Sequence, residues 1–352
     1  MMNGDVSRIL IVKLSAIGDV IHTLPLLEVL GDKFRHAKID WLVEEDSSQI
    51  IEGHPKLNRV IVSRRKSWQK RILERKDTLS VIREVRDFIG DLRLYDYDLV
   101  IDIQGLFKSG ILVALSRGNR KIGMNDSREG ARLFLNKRPV PVEKDIHAID
   151  RYLKLAEYLG CDISTKKGLI PISERDRLSI SNMLGSNGLN EKRFICINPM
   201  AKWKTKLWEP ERFAILADRI QNDLSCEIIF TGGRQDRPVI KEISGMMKKA
   251  SINLAGRTNL RELAFLYSRS LALITTDTGP MHIAAAMGCK VVALFGPTDP
   301  GRTGPYGMGH RIIAAGVHCS PCFKKTCDSR ECMKGITVEK VLEGVQNILS
   351  AN

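Results

Sequence analysis

Residues 271–297 restrict the fold more than any other part of the chain. Residues 271–275 are a short apolar run of strand type, and Asp277-Thr278-Gly279-Pro280 breaks it. Residues 281–287 are alanine-rich and helical, Gly288 ends them, and residues 291–295 read as a second buried strand. The turn of this strand–turn–helix–strand unit lies at the carboxyl end of its first strand, where ligands of open α/β sheets bind. Thr278 offers a hydroxyl, Gly279 lets a phosphate approach the backbone, and the helix start offers free N–H groups with partial positive charge. Pro280 in the first helical turn costs no hydrogen bond. Two readings fit: a phosphate or diphosphate site, or an ordinary helix capped by Asp277 or Thr278.

The alternation recurs along the chain. In the first half residues 9–12, 39–43, 60–63 and 99–103 read as strands. Residues 20–34, 79–94, 107–115 and 146–159 read as helices, the last ended by Gly160. The second half restarts with strands at 194–198, 227–230 and 252–255 and helices at 210–221, 238–249 and 260–268. Such alternation builds parallel sheets covered by helices, and 352 residues exceed what one core organises. The expected fold class is therefore α/β, with two Rossmann-like domains whose parallel sheets face a central cleft. The domains are expected at 1–172 and 186–336, joined through the polar, Pro171- and Gly188-containing stretch 166–190 with a short helix at 174–184. Val338, Val341, Val345 and Leu349 give residues 337–350 an apolar stripe that fits either domain.

No run of about 18 apolar residues is present, so no membrane-spanning helix is expected. The first residues, with only 9–12 apolar, carry no leader pattern, and the expected location is cytoplasmic. A formal charge of +14 favours anionic partners. No nucleic-acid motif accompanies it, so phosphorylated or carboxylated small molecules and anionic lipid are preferred to nucleic acid.

Lys13-Leu14-Ser15-Ala16-Ile17-Gly18-Asp19 follows the first strand and opens the first helix, mirroring the Asp277 turn. A carboxylate is stabilised at a helix start, so Asp19 is either a proton acceptor for a substrate hydroxyl or a plain helix cap. Residues 59–76 hold eight basic residues against Glu74 alone, including Arg64 and Arg65 just after a strand. They are either a solvated face or an anion site for a carboxylated sugar or a membrane headgroup. Arg128, and His147 one helical turn from Arg151, are further cationic candidates. In the second half, residues 198–208 place three lysines, among them Lys206, and two tryptophans after a strand, which suits phosphate contact; Trp208 also fits as a staple against the next helix. Gly232-Gly233 after strand 227–230 suits a nucleotide ribose or base, and His282 lies one turn into the Asp277–Gly279 helix.

Cys161, Cys196, Cys226 and Cys289 sit in apolar contexts as core thiols. Cys319, Cys322, Cys327 and Cys332 are spaced C-x2-C-x4-C-x4-C, which suits either a structural zinc or iron–sulfur cluster or four reduced thiols in a loop.

These motifs together resemble glycosyltransferase family 9, the lipopolysaccharide heptosyltransferases, and most of all heptosyltransferase I. KLSAIGDVIHTLP at 13–25, DWLVEEDSSQI at 40–50, DIQGLFKSG at 102–110, SREGARLFLNKR at 127–138 and HAIDR at 147–151 carry the likeness in the first half. KTKLWEPERF at 204–213, TDTGPMHIAAAMG at 276–288 and FGPTDPGRTGPYG at 295–307 carry it in the second. The resemblance implies a GT-B fold, an N-terminal acceptor domain, a C-terminal nucleotide-sugar domain, and a final helix 337–350 returning to the first domain. It implies inverting transfer of L-glycero-D-manno-heptose from ADP-heptose to a Kdo residue of Kdo2-lipid A in inner-core synthesis, with no cofactor required for catalysis. The alternatives are another core acceptor or nucleotide sugar within the family, or a non-catalytic anion-binding protein on the same scaffold. By motif position Asp19 matches the general base, Lys206, Thr278 and Gly279 the diphosphate contacts, and Asp277 and His282 a donor-site pair. Gly232 and Gly233 stay with the donor nucleotide. Lys13, Arg64, Arg65, Arg128, His147 and Arg151 match positions near the acidic acceptor. The implied setting is peripheral, on the anionic cytoplasmic face of the inner membrane. Met200, Ala201 and Lys202 depart from the small hydroxyl residues common ahead of the phosphate lysine, which leaves Lys202 or Lys204 to remake some contacts.

Overall fold

The computed structural model describes residues 6–189 and 192–350. The chain divides between Pro171 and Ile172 into two compact units. The first runs β1 (Arg8–Val12), α1 (Ile17–Lys33), β2 (Lys38–Glu44), α2 (Glu45–Ser48), β3 (Arg59–Ser63), α3 (Arg65–Leu73), α4 (Thr78–Leu92), β4 (Tyr97–Asp102), α5 (Phe107–Leu115), β5 (Gly118–Gly123) and α6 (Ala148–Tyr158). Its five strands are parallel in the order β3-β2-β1-β4-β5. Central β1 pairs Ile11 with Trp41 on one side and Ile101 on the other, and all three are fully buried, as a strand covered on both faces requires.

The second unit runs α7 (Glu174–Ser186), β6 (Phe194–Asn198), α8 (Pro210–Asp223), β7 (Glu227–Phe230), α9 (Arg237–Met246), β8 (Ile252–Asn253), α10 (Leu260–Arg269), β9 (Leu273–Thr276), α11 (Gly279–Ala286), β10 (Val291–Phe295), α12 (Pro300–Thr303), β11 (Arg311–Ala314), α13 (Glu331–Lys334) and α14 (Val338–Ser350). Six parallel strands lie in the order β11-β10-β9-β6-β7-β8. Helix α7, expected within the connection, belongs to this unit: Asp176 is 3.2 Å from Arg261 of α10, and Ser173 caps the helix.

Six elements escaped the sequence reading: β5, β11, α3 and the one-turn helices α2, α12 and α13, each of four residues and too short to show a period. β5 and β11 are edge strands with few buried residues, so they lack a continuous apolar run. α3 is helical but buries Trp68 alone, so its basic residues hide its period. The expectation that helix 337–350 returns to the first domain is overturned. Val341, Leu342, Val345 and Ile348 of α14 are buried in the core of the second unit with Ile220, Val292 and Leu294. The reason lies just upstream: Trp208 Nε1 donates to Ile336 O at 3.0 Å, Arg212 donates to Lys334 O and Ile336 O, and Met333 and Ile336 are fully buried. With Ile336 pinned to α8, the stripe closes onto the nearest apolar surface, and each buried aliphatic side chain contributes about 1.5–3 kcal/mol.

Candidate active site

In each unit the strand order reverses beside the first strand, and the loops leaving the two strands at that point diverge, which is where open α/β sheets bind ligands. In the first unit the point lies between β1 and β4. Gln104, just after β4, accepts hydrogen bonds from Leu14 N (3.1 Å) and Ser15 N (3.0 Å), fixing the β1–α1 loop. Gln104 N and Gly105 N donate to buried Asp102, each at 3.0 Å, so the receiving loop is itself held. Asp19 sits in the first turn of α1, half-buried, and accepts from Ala16 N at 3.0 Å. One carboxylate oxygen thus braces the turn, as in a capping arrangement.

Lys13 does not lie on the surface as an acceptor ligand would. It is buried under the loop, donating to Tyr152 Oη at 3.0 Å and Ile103 O at 3.3 Å. Burial pulls its pKa down, but Asp19, Tyr152 and Asp102 outweigh that and leave it raised, so a fixed positive charge lies beside Asp19.

The expected acceptor cations fall into two groups. Arg64 is exposed and pairs with Glu45 at 3.1 Å. Arg65 donates to Glu44 at 2.9 Å, and Lys66 (3.1 Å) and Lys108 (3.2 Å) share that carboxylate. Lys108 also donates to Ser15 Oγ at 3.0 Å, which ties the cluster to the Asp19 loop. Burial pushes the Glu44 pKa up, but its three cations outweigh this and hold it low. Lys66 is also bonded to Asp46 at 2.6 Å, so the three cations meet two carboxylates and leave one positive charge in excess, which suits an anion. Lys108 was not foreseen, although it stands within the 102–110 motif. In the second group Arg151 is committed to Asp126 at 3.1 Å, which leaves it a scaffold for the 126–128 loop. Exposed Arg128 on that loop donates its backbone N–H to Gly105 O at 2.8 Å. His147 caps α6 through Nδ1, accepting from Ile149 N, and its ring meets buried His22 edge-on at 5.1 Å.

In the second unit the reversal lies between β6 and β9. The loop after β6 carries a short 3-10 turn, Lys204–Lys206, and the loop after β9 carries Asp277 and opens α11. Lys206 Nζ lies 2.5 Å from Asp277 Oδ2 and 4.6 Å from the centre of the Trp203 ring. Thr298, after β10, donates to the same Asp277 oxygen at 2.6 Å. Asp277 is thus engaged in holding Lys206. Thr278 is extended at the start of α11 and no side chain caps the helix; Pro280 has no N–H and Met281 N donates to Thr278 O at 3.1 Å, which leaves the Gly279 N–H and the positive end of the helix dipole to an anion. His282 follows on α11 and is 8% exposed. Lys202 and Lys204 are exposed. Trp208 instead packs on Phe213 at 4.9 Å, as a staple does.

The Gly232-Gly233 turn after β7 is closed by Gly233 N donating to Asp236 (2.7 Å) and by Gly256 N donating to Gly232 O (2.8 Å). Gly256 has φ +63° with Arg234 Cα 2.6 Å from where a Cβ would stand, so only glycine fits there.

The four C-terminal cysteines, open to a metal site or to reduced thiols in a loop, stand as thiols. Among the described residues no group of three or more His, Cys, Asp or Glu is placed to hold an ion. Cys319 and Cys327 are exposed while Cys332 is buried, and all four are free thiols. The segment does serve the lysine loop: Thr205 Oγ1 donates to Lys324 O at 2.9 Å, Arg330 reaches Leu207 O, and Lys325 lies over Trp203.

Residues 85–333 match the model of glycosyltransferase family 9 (heptosyltransferase). Lipopolysaccharide heptosyltransferase 1 of Pseudomonas aeruginosa is 31% identical over 335 residues, covering 91% of this chain and 87% of that protein. Proteins named heptosyltransferase 2 and 3 also match. The crystal structure of a family 9 glycosyl transferase from Veillonella parvula superposes with TM-score 0.87 at 27% identity, covering 100% of this chain and 99% of that one. E. coli heptosyltransferase WaaC with ADP gives TM-score 0.77 at 26% identity, covering 97% and 99%. The two parallel-sheet units are those of the GT-B heptosyltransferase fold. With its family model spanning both switch-point loops of the second unit, Asp277 and Lys206 included, the chain belongs to glycosyltransferase family 9, the heptosyltransferases.

Proposed function

We propose that this enzyme transfers L-glycero-D-manno-heptose, with inversion, from ADP-heptose to a Kdo residue of Kdo2-lipid A in lipopolysaccharide inner-core synthesis. The observation that carries this reading is the pairing of Lys206 with an uncapped α11 terminus at the switch point of the second unit. A departing diphosphate develops negative charge, and a held cation, with the Gly279 N–H at the positive end of the helix, stabilises it most in the transition state. In the first unit Asp19 would accept the proton of the Kdo hydroxyl. That oxygen bonds to the anomeric carbon as its bond to the diphosphate breaks through an oxocarbenium-like state, and ADP leaves with the electron pair. The excess charge of Arg65, Lys66 and Lys108 around Glu44, with exposed Arg64 and Arg128, suits the carboxylates and phosphates of such an acceptor.

The reading places the enzyme at the cytoplasmic face of the inner membrane, held peripherally. No helix among the described residues is long and apolar enough to cross a membrane. Metal uptake by the four C-terminal cysteines would have to draw Cys319 and Cys327 from solvent onto buried Cys332, and it has no part in the transfer step proposed.

The test is transfer from ADP-heptose to Kdo2-lipid A by wild type and Asp19→Asn, with ADP binding measured on both. Turnover reduced by about 10²–10⁴ in the variant with ADP binding retained supports the reaction and the base. A folded wild type without turnover rejects the Kdo acceptor. The second reading, favoured by heptosyltransferases 2 and 3 among the relatives, then predicts turnover on an acceptor that already carries heptose.

A further inference from the structure

The helical hairpin α3–α4 exposes apolar side chains that no described residue covers. All nine residues from Ile72 to Ser80 are exposed. Leu73 and Leu79 are each 84% exposed, Ile82 60% and Ile72 49%. The hairpin is not loose. Trp68 is buried against Phe88 at 5.4 Å and donates to Glu84 at 2.9 Å, and Arg71 pairs with Glu84 at 2.8 Å across the two helices. On α4, Val81 and Phe88 face the core, while Leu79, Ile82, Arg83 and Arg86, spaced i, i+3, i+4, i+7, share the opposite face. On α3, Lys66, Lys70 and Leu73 line up in the same way. Residues 64–86 carry nine Lys and Arg against Glu74, Asp77 and Glu84, a net charge of +6 out of the chain's +14. Glu74 is already shared by Lys70 and Lys76.

We propose that this hairpin seats the enzyme on an anionic lipid bilayer. Ile72, Leu73, Leu79 and Ile82 enter the boundary between headgroups and acyl chains, and Lys70, Arg75, Lys76, Arg83 and Arg86 meet anionic headgroups. A strongly charged helix face with aliphatic residues set among the cations is the pattern of interfacial anchoring. A protein partner is disfavoured by the same composition, because lysine is depleted and aromatic anchors are enriched at protein interfaces, and this tip has no aromatic residue. The position also fits: α3 begins immediately after Arg64, so the anchored tip holds the Arg64–Arg65 cluster close to the lipid surface. The proposal deepens the reading of an acceptor held in a membrane by its acyl chains. It does not depend on which sugar is transferred.

The full chain is sedimented with vesicles of phosphatidylcholine alone and with phosphatidylglycerol at about 30 mol%. Binding is expected on the anionic vesicles and should fall with salt. Leu73→Ser/Leu79→Ser/Ile82→Ser should lower it about tenfold or more, and Lys70→Gln/Lys76→Gln/Arg83→Gln should abolish the preference for anionic lipid. Leu73→Trp should show a blue-shifted emission component on binding, which reads the contact without removing it. Unaltered binding by the triple serine variant, absence of any emission shift in the Leu73→Trp variant, or no binding by wild type overturns the proposal. Transfer to a deacylated, water-soluble acceptor separates the two claims. If the serine variant retains it while losing vesicle binding, the hairpin acts as an anchor. If wild type lacks transfer yet binds vesicles through these leucines, the functional reading fails and the anchor stands.

Discussion

Lys206 and Asp277 meet across the switch point of the second unit, Nζ to Oδ2 at 2.5 Å, and Thr298 donates to the same oxygen at 2.6 Å. The pair is largely shielded, with side chains 14% and 7% exposed. On the proposed reading Asp277 therefore acts on the diphosphate through Lys206. Lys206→Met is expected to weaken ADP binding at least tenfold, and Asp277→Asn by about three- to tenfold, through lost positioning of the ammonium. The double variant should bind like Lys206→Met alone, because residues that share one interaction are not additive. Calorimetric titration of the three variants checks this. Fully additive losses would mean that Asp277 contacts the donor itself.

Lys108 bridges Glu44 and Ser15, so it links the cation cluster to the loop that carries Asp19. Lys108→Met is expected to raise the acceptor KM by about 5- to 50-fold, the worth of one charge-assisted contact, while the affinity for ADP stays the same. Steady-state kinetics varying each substrate separately decides it. A selective change in the donor KM would assign Lys108 to the wrong half of the reaction.

The sequence made the strand-bound parts of this site readable, because apolar runs followed by Gly, Asp and Ser turns announce both β1–α1 and β9–α11. It could not show that Lys13 turns inward onto Tyr152, since a lysine after a strand looks alike whether it faces solvent or a buried phenol. Nor could it show Thr298 reaching Asp277, a contact between turns 21 residues apart that only the parallel register of β9 and β10 brings together. α14 was misplaced because an apolar stripe specifies that a helix is buried, and not against what. The anchor that decides it is a backbone carbonyl, Ile336 O, whose partners Trp208 and Arg212 lie more than 120 residues earlier.

Thiol reactivity separates the eight cysteines. The exposed Cys327 thiol is held below its usual range by the Arg330 backbone N–H and by Ser329. Burial pushes Cys161 to about 11, Cys289 to about 12, and Cys196 well up. Cys332 is raised by burial and by the neighbouring Cys319, Cys322 and Cys327. Iodoacetamide at about pH 7.5 should therefore modify Cys327 first, at least tenfold faster than Cys332, Cys196 or Cys289. Peptide mapping by mass spectrometry over time tests the order, and early labelling of Cys332 would contradict it.

Glu28 gives the first unit a pH-dependent staple. It accepts from His54 Nε2 at 3.2 Å and from Leu169 N at 3.3 Å, and it pairs with Lys56 at 2.8 Å, tying α1 to residues 54–56 and to residue 169. Burial pushes the Glu28 pKa up, but the bonds from His54 and Lys56 prevail and hold it down at about 2. A carboxylate that is depressed on folding stabilises fully above its unfolded value near 4.5, and the contribution disappears as pH falls through the folded value. The full shift corresponds to about 3 kcal/mol, and partial exposure of the side chain reduces this to roughly 1–2 kcal/mol. Glu28→Gln should therefore lower the unfolding midpoint by a few degrees at pH 7, by less at pH 4, and by almost nothing only below about pH 1.5, under both values. A wild-type minus variant difference that stays constant across that range would show that Glu28 acts by packing and not by charge.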